Sequence, residues 1–180
     1  MIGTAADYQP RCRAPPLRRG AFNGLMDQVR VREAEAGDAA AVLEVVRAAF
    51  AKYVPRIGRW PWPMGVDYGV PIGLGLCRVA EDGGRIVGVV VLEPADGYLH
   101  LDVIAVAAEA QGRGVGGLLM ERAEQEAVAG GYGEIRLFTN EAMTENLGYY
   151  ERRGYRETHR TQDDGFRRVF FTKSLAGDVT

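Results

Sequence analysis

The sequence predicts an α+β (mixed α/β) domain with a central mixed, mostly antiparallel sheet of about 6–7 strands and helices on both faces. Three observations carry this prediction. Short stretches of alternating apolar and polar residues, typical of strands, are joined by glycine-containing turns. A glycine-rich turn at 111–116 separates one such strand from a segment of helical periodicity. A further strand, a further helix and a final hairpin pattern follow it.

The first elements expected are a strand and a helix. Val29 and Val31 alternate with arginines, as in a strand with two different faces. Asp38 stands where the N-cap of a helix is expected. The helix after it carries a single apolar stripe, which predicts packing on the core. The stripe comprises Val42, Val45, Val46 and Phe50.

An antiparallel meander is expected next. Residues 76–80 and 85–92 predict two strands, joined by a hairpin turn at 81–84 that contains two glycines. A turn at 95–97 leads into the central strand, where apolar Leu99, Leu101 and Val103 alternate with a more polar set.

The second half predicts a strand parallel to the central one, because a strand–helix–strand unit favours parallel pairing. The expected elements are a helix from Val115 that ends at Gly130–Gly131, a strand at 134–139, a helix through Met143, Leu147 and Tyr150 that ends at Gly154, and a hairpin of 155–161 with 166–173 around 163–165.

The turn from Gln111 to Gly116 is the main candidate for a ligand site. Its alternate glycines leave the backbone uncovered, so that amides can approach a ligand closely. The turn also opens a helix, whose first N–H groups and positive dipole end favour phosphate or pyrophosphate. Arg113 adds a charge within the turn. A tight turn without a ligand is the alternative.

The glycines at 112–117 also satisfy G-x-G-x-x-G, the dinucleotide fingerprint. Residues 107–111 separate the strand from the first glycine, whereas the fingerprint joins them almost directly. The next strand ends in Thr139 and Asn140, where that fingerprint expects an acidic residue. Too little chain follows for the remaining strand–helix units, so a nucleotide-binding oxidoreductase is the weaker alternative.

Two stretches together resemble the GNAT superfamily of N-acetyltransferases. Val106 followed by Gln111-x-x-Gly114-x-Gly116 resembles its acetyl-CoA signature. The stretch 139–155 resembles the family segment that follows, in the expected order and spacing. The resemblance covers about residues 29–175. Ala108 replaces a proline that is frequent there, which bears on rigidity and not on chemistry.

The resemblance implies an acetyl-CoA-dependent N-acetyltransferase that acetylates a primary amine of a small molecule by direct attack. It implies that amides of the turn hold the pyrophosphate and that the central strand pairs with the pantetheine arm. An amide near Ala105 or Val106 is expected to polarise the thioester carbonyl. The cofactor-binding residues expected are Ile104, Ala105, Val106, Gln111, Gly112, Arg113, Gly114, Val115, Gly116, Asn140 and Asn146.

Tyr150 is the candidate acid. The resemblance aligns it with a tyrosine near the CoA sulfur, and a phenol with a pKa of about 10 can donate its proton to the departing thiolate at neutral pH. Tyr149 is the fallback, turned about 100° away on a helix. A purely structural aromatic role for Tyr150 is the alternative.

His100 and Asp102 are the candidates for the base, and they share one strand face. His100 is preferred, because its unperturbed pKa of about 6.5 suits proton uptake near neutral pH. Asp102 is expected to orient a water or bind the amine. Two solvated polar residues are the alternative, and Glu93 and Glu141 are weaker candidates.

Residues 51–71 contain four prolines, which preclude a long uninterrupted helix. The resemblance implies that this region forms part of the acceptor wall; a lid whose aromatic residues only pack on the domain is the alternative. The acceptor-binding residues expected are Trp60, Trp62, Met64, Asp67 and Tyr68.

Composition narrows the setting. A net charge of -2 disfavours nucleic-acid and membrane-surface partners, and no apolar run spans a bilayer. Cys12 and Cys77 are expected to be free thiols in a reducing compartment, which favours the cytoplasm. Two histidines without a cysteine cluster argue against a metal site. Residues 1–25, rich in arginine and proline, are expected to be a disordered extension before a domain at 26–180.

The acceptor stays open at this point. A protein or peptide N-terminus or a lysine is the alternative acceptor within the class, and a non-catalytic acetyl-CoA-binding module is the alternative outside it. Homodimers are frequent among GNAT enzymes, so a homodimer is a further prediction.

Overall fold

The computed structural model describes residues 29–163 and 165–175. The predicted extension at 1–25, Cys12 and the middle of the predicted turn at 163–165 lie outside the described residues. The described elements are β1 (Val29–Glu33), α1 (Ala39–Ala51), α2 (Val54–Ile57), α3 (Gly69–Gly73), β2 (Cys77–Asp82), β3 (Arg85–Pro94), β4 (Leu99–Val106), α4 (Val115–Ala129), β5 (Glu134–Asn140), α5 (Thr144–Arg152), β6 (Arg156–Asp163) and β7 (Phe166–Ser174). Short 3-10 turns occupy Ala36–Asp38, Trp62–Gly65 and Ala108–Ala110.

The described strands form one seven-stranded sheet in the order β1-β2-β3-β4-β5-β7-β6. The pair β4–β5 is parallel, and the other neighbouring pairs are antiparallel. Successive residues from Val87 to Leu92 of β3 are buried, and both α1 and α4 contact this strand. Since side chains alternate between the faces of a strand, helices cover both faces here. The predicted α+β fold is confirmed.

Gly88 of β3 allows α4 to lie unusually close to the sheet. A Cβ at this position would stand 3.0 Å from Leu119 Cδ1 and 3.1 Å from Val115 Cγ1, and both of those residues are fully buried. A larger residue would overpack this contact. The contact fixes the start of α4, and with it the glycine-rich turn, against the middle of the sheet.

The structure corrects two local predictions. The strand β2 continues to Asp82, so the turn into β3 is shorter than the predicted 81–84. Asp38 precedes α1, but its carboxylate does not cap that helix. Asp38 Oδ2 instead accepts hydrogen bonds from the Glu35 amide, at 2.8 Å, and from Arg32 Nη1, at 2.7 Å. The strong ion pair with Arg32 competes for the carboxylate and draws it back towards β1.

Candidate active site

The parallel strands β4 and β5 separate halfway along their length. They pair only through residues 99–101 and 135–137, although β4 continues to Val106 and β5 to Asn140. The unpaired halves leave a gap in the sheet. This gap is the feature around which the candidate site is built.

Backbone groups of β4 are directed into the gap. The Ala107 amide donates to Val87 O of β3 at 2.9 Å. Because backbone groups of successive strand residues point to alternate sides, those of Ile104 and Val106 point away from β3 and towards the gap. The same alternation turns the Ala105 amide to β3. Of the two amides expected to polarise a carbonyl, only that of Val106 therefore faces the gap.

The glycine-rich turn follows β4 and presents further amides. Gly112 and Gly114 have φ angles of +75° and +84°, a left-handed conformation that favours glycine. The first turn of α4 closes with a bond from the Leu118 amide to Gly114 O. The amides of residues 115–117 precede this bond, so they are the orphan donors expected at a helix N-terminus. Together with the positive dipole end they form a candidate anion site.

The side chains of the turn make contacts within the protein. Gln111 Nε2 donates to Val106 O at 3.0 Å and so ties the turn to the end of β4. Arg113 Nη2 donates to Asp82 Oδ2 at 2.8 Å, which draws the guanidinium to β2. Val115 is fully buried. Neither Arg113 nor Val115 is among the residues that line the groove beside the turn, so their backbone amides are the groups expected to contact a ligand.

A groove of about 480 Å³, here called the outer groove, runs from the gap to the turn. Its other wall is formed by α1, by the chain that follows α1 and by α5. The lining includes Phe50, Lys52, Tyr53, Ile104, Ala105, Val106, Gln111, Gly112, Gly114, Gly116, Asn146, Tyr149, Tyr150 and Arg152.

A smaller space of about 90 Å³, here called the inner cavity, lies behind the groove. Phe50, Ile104, Asn146 and Tyr150 border both spaces, so the two communicate. The rest of the inner lining includes Ile57, Trp62, Asp102, Phe138, Thr139, Asn140, Met143, Phe166 and Arg168.

Tyr150 stands at the boundary between the two spaces. Burial raises the pKa of its hydroxyl above the ordinary 10.0 of tyrosine, so the group is protonated at neutral pH. Tyr149 lines only the outer groove. Its hydroxyl is buried without a hydrogen-bond partner, 3.2 Å from where a Cβ on Gly116 would stand. Of the two adjacent tyrosines, only Tyr150 therefore borders the inner cavity.

Asp102 lines the inner cavity, whereas His100 does not. Burial, with a smaller contribution from the Glu93 charge, raises the pKa of Asp102 from 3.8 to about 7. Burial lowers the pKa of His100, which keeps the ring neutral at pH 7. His100 Nε2 is 3.8 Å from Asp102 Oδ1, too far for a hydrogen bond, and the ring stacks on Phe138.

The two weaker base candidates lie outside the inner cavity. Glu93 is exposed near the end of β3, opposite His100. Glu141 forms ion pairs with Arg160 at 3.1 Å and Arg167 at 3.7 Å. Neither carboxylate lines the cavity that contains Asp102.

Both predicted asparagines border the site. Asn146 Nδ2 donates to Thr139 Oγ1 at 3.3 Å, and its Oδ1 accepts from the Tyr53 hydroxyl at 3.5 Å. Asn140 Oδ1 accepts from the Ala142 amide at 2.9 Å and so shapes the turn before α5. Asn146 faces both the outer groove and the inner cavity, whereas Asn140 faces the inner cavity and not the outer groove.

The five predicted acceptor residues separate into three groups. Trp62 lines the inner cavity, while Trp60 is 61% exposed and does not. Met64 and Tyr68 are buried in the fold, and the Tyr68 hydroxyl donates to Pro63 O at 3.0 Å. Asp67 Oδ1 accepts from the Gly69 amide and closes a local turn.

Sequence reasoning missed several residues of the inner cavity. The sequence predicts Phe138 as part of a strand, with no functional role. It predicts Phe166 and Arg168 as part of a hairpin that lies 60 residues beyond the central strand. Arg168 lies over the ring of Phe138, 5.4 Å from its centroid, and Arg59 over Phe166 at 4.8 Å. Aromatic residues in strands also fit ordinary core packing, so no pattern in the sequence distinguished them.

Two absences apply to the described residues alone. Within 29–163 and 165–175, no three His, Cys, Asp or Glu side chains are grouped in a way that could hold a metal ion. No helix of the same ranges combines the length and apolar character needed to cross a membrane.

The fold and the site define an α+β protein with a ligand groove at a splayed central strand and a glycine-rich helix start. The profile of the acetyltransferase (GNAT) family matches residues 48–155, which is more than half of the 180 residues. The chain belongs to the GNAT acetyltransferase family.

Solved structures share this fold. The PaiA N-acetyltransferase from Thermoplasma acidophilum, in complex with coenzyme A, has a TM-score of 0.70 at 17% identity and covers 81% of this chain and 98% of its own. The ribosomal-protein-S18-alanine N-acetyltransferase from Escherichia coli has a TM-score of 0.67 at 18% identity and covers 84% and 98%. YncA from Salmonella typhimurium, with its cofactor acetyl-CoA, has a TM-score of 0.66 at 16% identity and covers 86% and 98%.

Proposed function

We propose that this protein is an N-acetyltransferase that transfers the acetyl group of acetyl-CoA to a primary amine of a small molecule by direct attack. The observation that carries the proposal is the junction at Tyr150 between the two spaces. The outer groove offers backbone groups of β4 and an anion site, as an extended, pyrophosphate-bearing ligand requires. The inner cavity offers a carboxylate poised near pH 7.

The roles follow from this arrangement. Amides of the turn hold the pyrophosphate, and the outward backbone groups of Ile104 and Val106 pair with the pantetheine arm. The Val106 amide also polarises the thioester carbonyl. Asn146 touches the cofactor arm where the two spaces meet. Asp102, rather than His100, is the base, because only Asp102 lines the cavity where the amine must stand.

Atoms and charges balance in one displacement. The amine nitrogen attacks the thioester carbonyl carbon, a C–N bond forms and the C–S bond breaks. The nitrogen loses one proton to Asp102, and the departing sulfur receives the hydroxyl proton of Tyr150. Solvent exchange then returns Asp102 to its ionised form and Tyr150 to its protonated form. The raised pKa keeps the Tyr150 hydroxyl protonated at neutral pH, so that its proton is in place when negative charge develops on the departing sulfur.

The size of the inner cavity supports a small acceptor. Arg59 lies over the ring of Phe166, a lining residue of the cavity, and so joins the chain after α2 to the hairpin of β6 and β7. One of the solved relatives acts, by its name, on an alanine of a ribosomal protein. A protein N-terminus or lysine is therefore the competing acceptor. A cytoplasmic location and a homodimer stay predictions; the buried free thiol of Cys77 fits a reducing compartment.

Calorimetric titration of acetyl-CoA into the purified protein tests the proposal, with NADH as the control ligand. We expect micromolar binding of acetyl-CoA, no binding of NADH, and release of free CoA thiol that depends on a primary amine. Binding of NADH alone would support the dinucleotide alternative. Binding of acetyl-CoA without amine-dependent thiol release, across amines and peptides, would favour the non-catalytic module.

A further inference from the structure

A third space adjoins the inner cavity on the side away from the outer groove. This side cleft has a volume of about 320 Å³ and is bounded by Arg56, Ile57, Asn140, Glu141 and Arg167. Ile57 and Asn140 line the inner cavity as well, so a molecule bound in the cavity can extend into the cleft.

The arrangement of the two spaces bears on the shape of the acceptor. An amine that reaches Asp102 has its nitrogen in the inner cavity. The remainder of a longer molecule can extend into the side cleft, an adjoining space that the proposed cofactor does not occupy. The lining of the cleft therefore selects the far end of the acceptor.

Two guanidinium groups dominate the cleft. Arg167 is 68% exposed, and its Nη1 is 3.7 Å from Glu141 Oε2, beyond hydrogen-bond distance. Arg56 uses Nη1 to donate to both carboxylate oxygens of Glu145, at 2.9 and 2.8 Å. A guanidinium has five N–H donors on three nitrogens. Because Arg56 uses only Nη1 for Glu145, its other nitrogens keep N–H donors for a ligand, as do those of Arg167.

The single carboxylate of the cleft is already engaged. Glu141 Oε1 accepts from Arg160 Nη1 at 3.1 Å. Among the residues that line the cleft, two guanidinium groups stand against one carboxylate. Their remaining N–H donors, in planar, forked form, match a carboxylate better than a second ammonium group.

We propose that the acceptor is an amino acid-like molecule, with its primary amine at Asp102 and a carboxylate in the side cleft between Arg56 and Arg167. This inference rests on the proposed function and names its acceptor class. Polyamines and polycationic amines are disfavoured by the same charges.

Three probes of equal chain length isolate the far-end charge: 5-aminopentanoate, pentylamine and 1,5-diaminopentane. Each is titrated into the protein saturated with CoA, and kcat/KM for acetyl transfer is measured with each. We expect 5-aminopentanoate to bind about fivefold more tightly than pentylamine, as a half-exposed charge pair allows. We expect 1,5-diaminopentane to bind most weakly and the kcat/KM values to follow the same order.

Variants locate the effect in the cleft. In Arg167→Gln and Arg56→Gln, the ratio of 5-aminopentanoate to pentylamine affinity should fall towards one. Arg30→Gln is the matched control, because Arg30 is equally exposed but lies on the edge strand β1, paired with Glu81. A ratio of one in the unaltered protein, tighter binding of the diamine, or no binding of any probe overturns the inference.

The two proposals fail separately. If the probes bind in the expected order but no thiol is released, the inference about the cleft stands and the transfer reaction is wrong. If pentylamine and 1,5-diaminopentane are acetylated as well as 5-aminopentanoate, the transfer reaction stands and the acceptor class is wrong.

Discussion

The outer groove and the inner cavity meet at Tyr150, but the chain builds them differently. One continuous stretch, residues 104–117, supplies a wall of the outer groove, and it does so with backbone groups that few substitutions can remove. The inner cavity draws side chains from more than five separate segments, among them those that contain Phe50, Trp62, Asp102, Phe138 and Phe166.

This difference predicts different sensitivities to substitution. A backbone site tolerates changes of side chain as long as the chain keeps its path, so its weak points are the glycines with positive φ. A side-chain site loses its chemistry with a single functional group. The effects should therefore be largest at the two titratable groups of the junction and cavity, intermediate in the glycine turn and smallest at the rim.

Asp102→Asn should have the largest effect. Losing a general base typically lowers kcat/KM by about 10²- to 10⁴-fold. Only the ionised carboxylate accepts a proton, so activity of the unaltered enzyme should rise with pH through about 7, the raised pKa of Asp102. Asp102→Asn should lose this rise in the pH profile of kcat/KM.

His100→Gln is the matched control for Asp102. His100 lies on the same strand face but outside the inner cavity, and its lowered pKa places its titration below that of free histidine. We expect His100→Gln to keep the rise near pH 7. A profile that flattens in His100→Gln and survives in Asp102→Asn would make His100 the base.

Tyr150→Phe should have the next effect. The substitution removes only the proton donor, so the acetylation rate should fall by about 10²-fold. Affinity for acetyl-CoA, measured by calorimetry, should change little. Tyr149→Phe is the control, because its hydroxyl faces α4 rather than the junction. An unchanged rate in Tyr150→Phe would contradict the assignment of the acid, and lost binding would indicate a structural role.

Gly112→Ala should weaken acetyl-CoA binding by about tenfold, or ~1.4 kcal/mol. A Cβ at Gly112 meets no atom of the described protein within 4 Å, but it would stand in a turn that lines the outer groove. Gly84→Ala is closely matched, with φ of +82° and equally open surroundings in a distant hairpin. Both should lose similar stability to left-handed strain, about 1–2 kcal/mol.

Calorimetry and thermal unfolding of the two glycine variants separate strain from ligand contact. Equal loss of acetyl-CoA affinity in both would show that destabilisation, and not the groove, explains the effect at Gly112.

Trp62→Ala should have the smallest effect, about a fivefold rise in acceptor KM, or ~1 kcal/mol of lost apolar contact. Trp62 is 48% exposed and lines the inner cavity, whereas Trp60, two residues away, is 61% exposed and does not. Trp60→Ala is therefore the control, measured in the same steady-state assay. A larger rise of acceptor KM in Trp60→Ala would indicate that the acceptor contacts the exposed surface of residues 51–71 instead of the inner cavity.

Local patterns predicted the sheet and the glycine turn well, because both depend on residues near one another in the chain. The alternation in β4 and the glycines at 112 and 114 fix backbone directions directly. Side-chain contacts between residues far apart in the chain could not be predicted from these patterns. Arg113 was expected at the ligand, yet Asp82, which lies 31 residues earlier, holds its guanidinium.

Residues 51–71 also show that long-range packing could not be predicted from the sequence. Tyr68 and Trp62 are both aromatic residues in a proline-rich segment, and the family resemblance makes both of them candidate acceptor residues. Only the packed fold separates them, because Tyr68 finds a hydrogen-bond acceptor in Pro63 O and a place in the core, while Trp62 is left at the cavity rim.

The sequence by itself determined the α+β class, the position of the glycine-rich helix start and the family, since these follow from hydrophobic periodicity, alternate glycines and a spaced motif. The tertiary structure decided which titratable group lines the inner cavity. His100 has the more suitable free pKa, but burial in the splayed sheet raises that of Asp102 to about 7 and directs it into the inner cavity. A pKa depends on desolvation and neighbouring charges, and these exist only once distant segments have packed together.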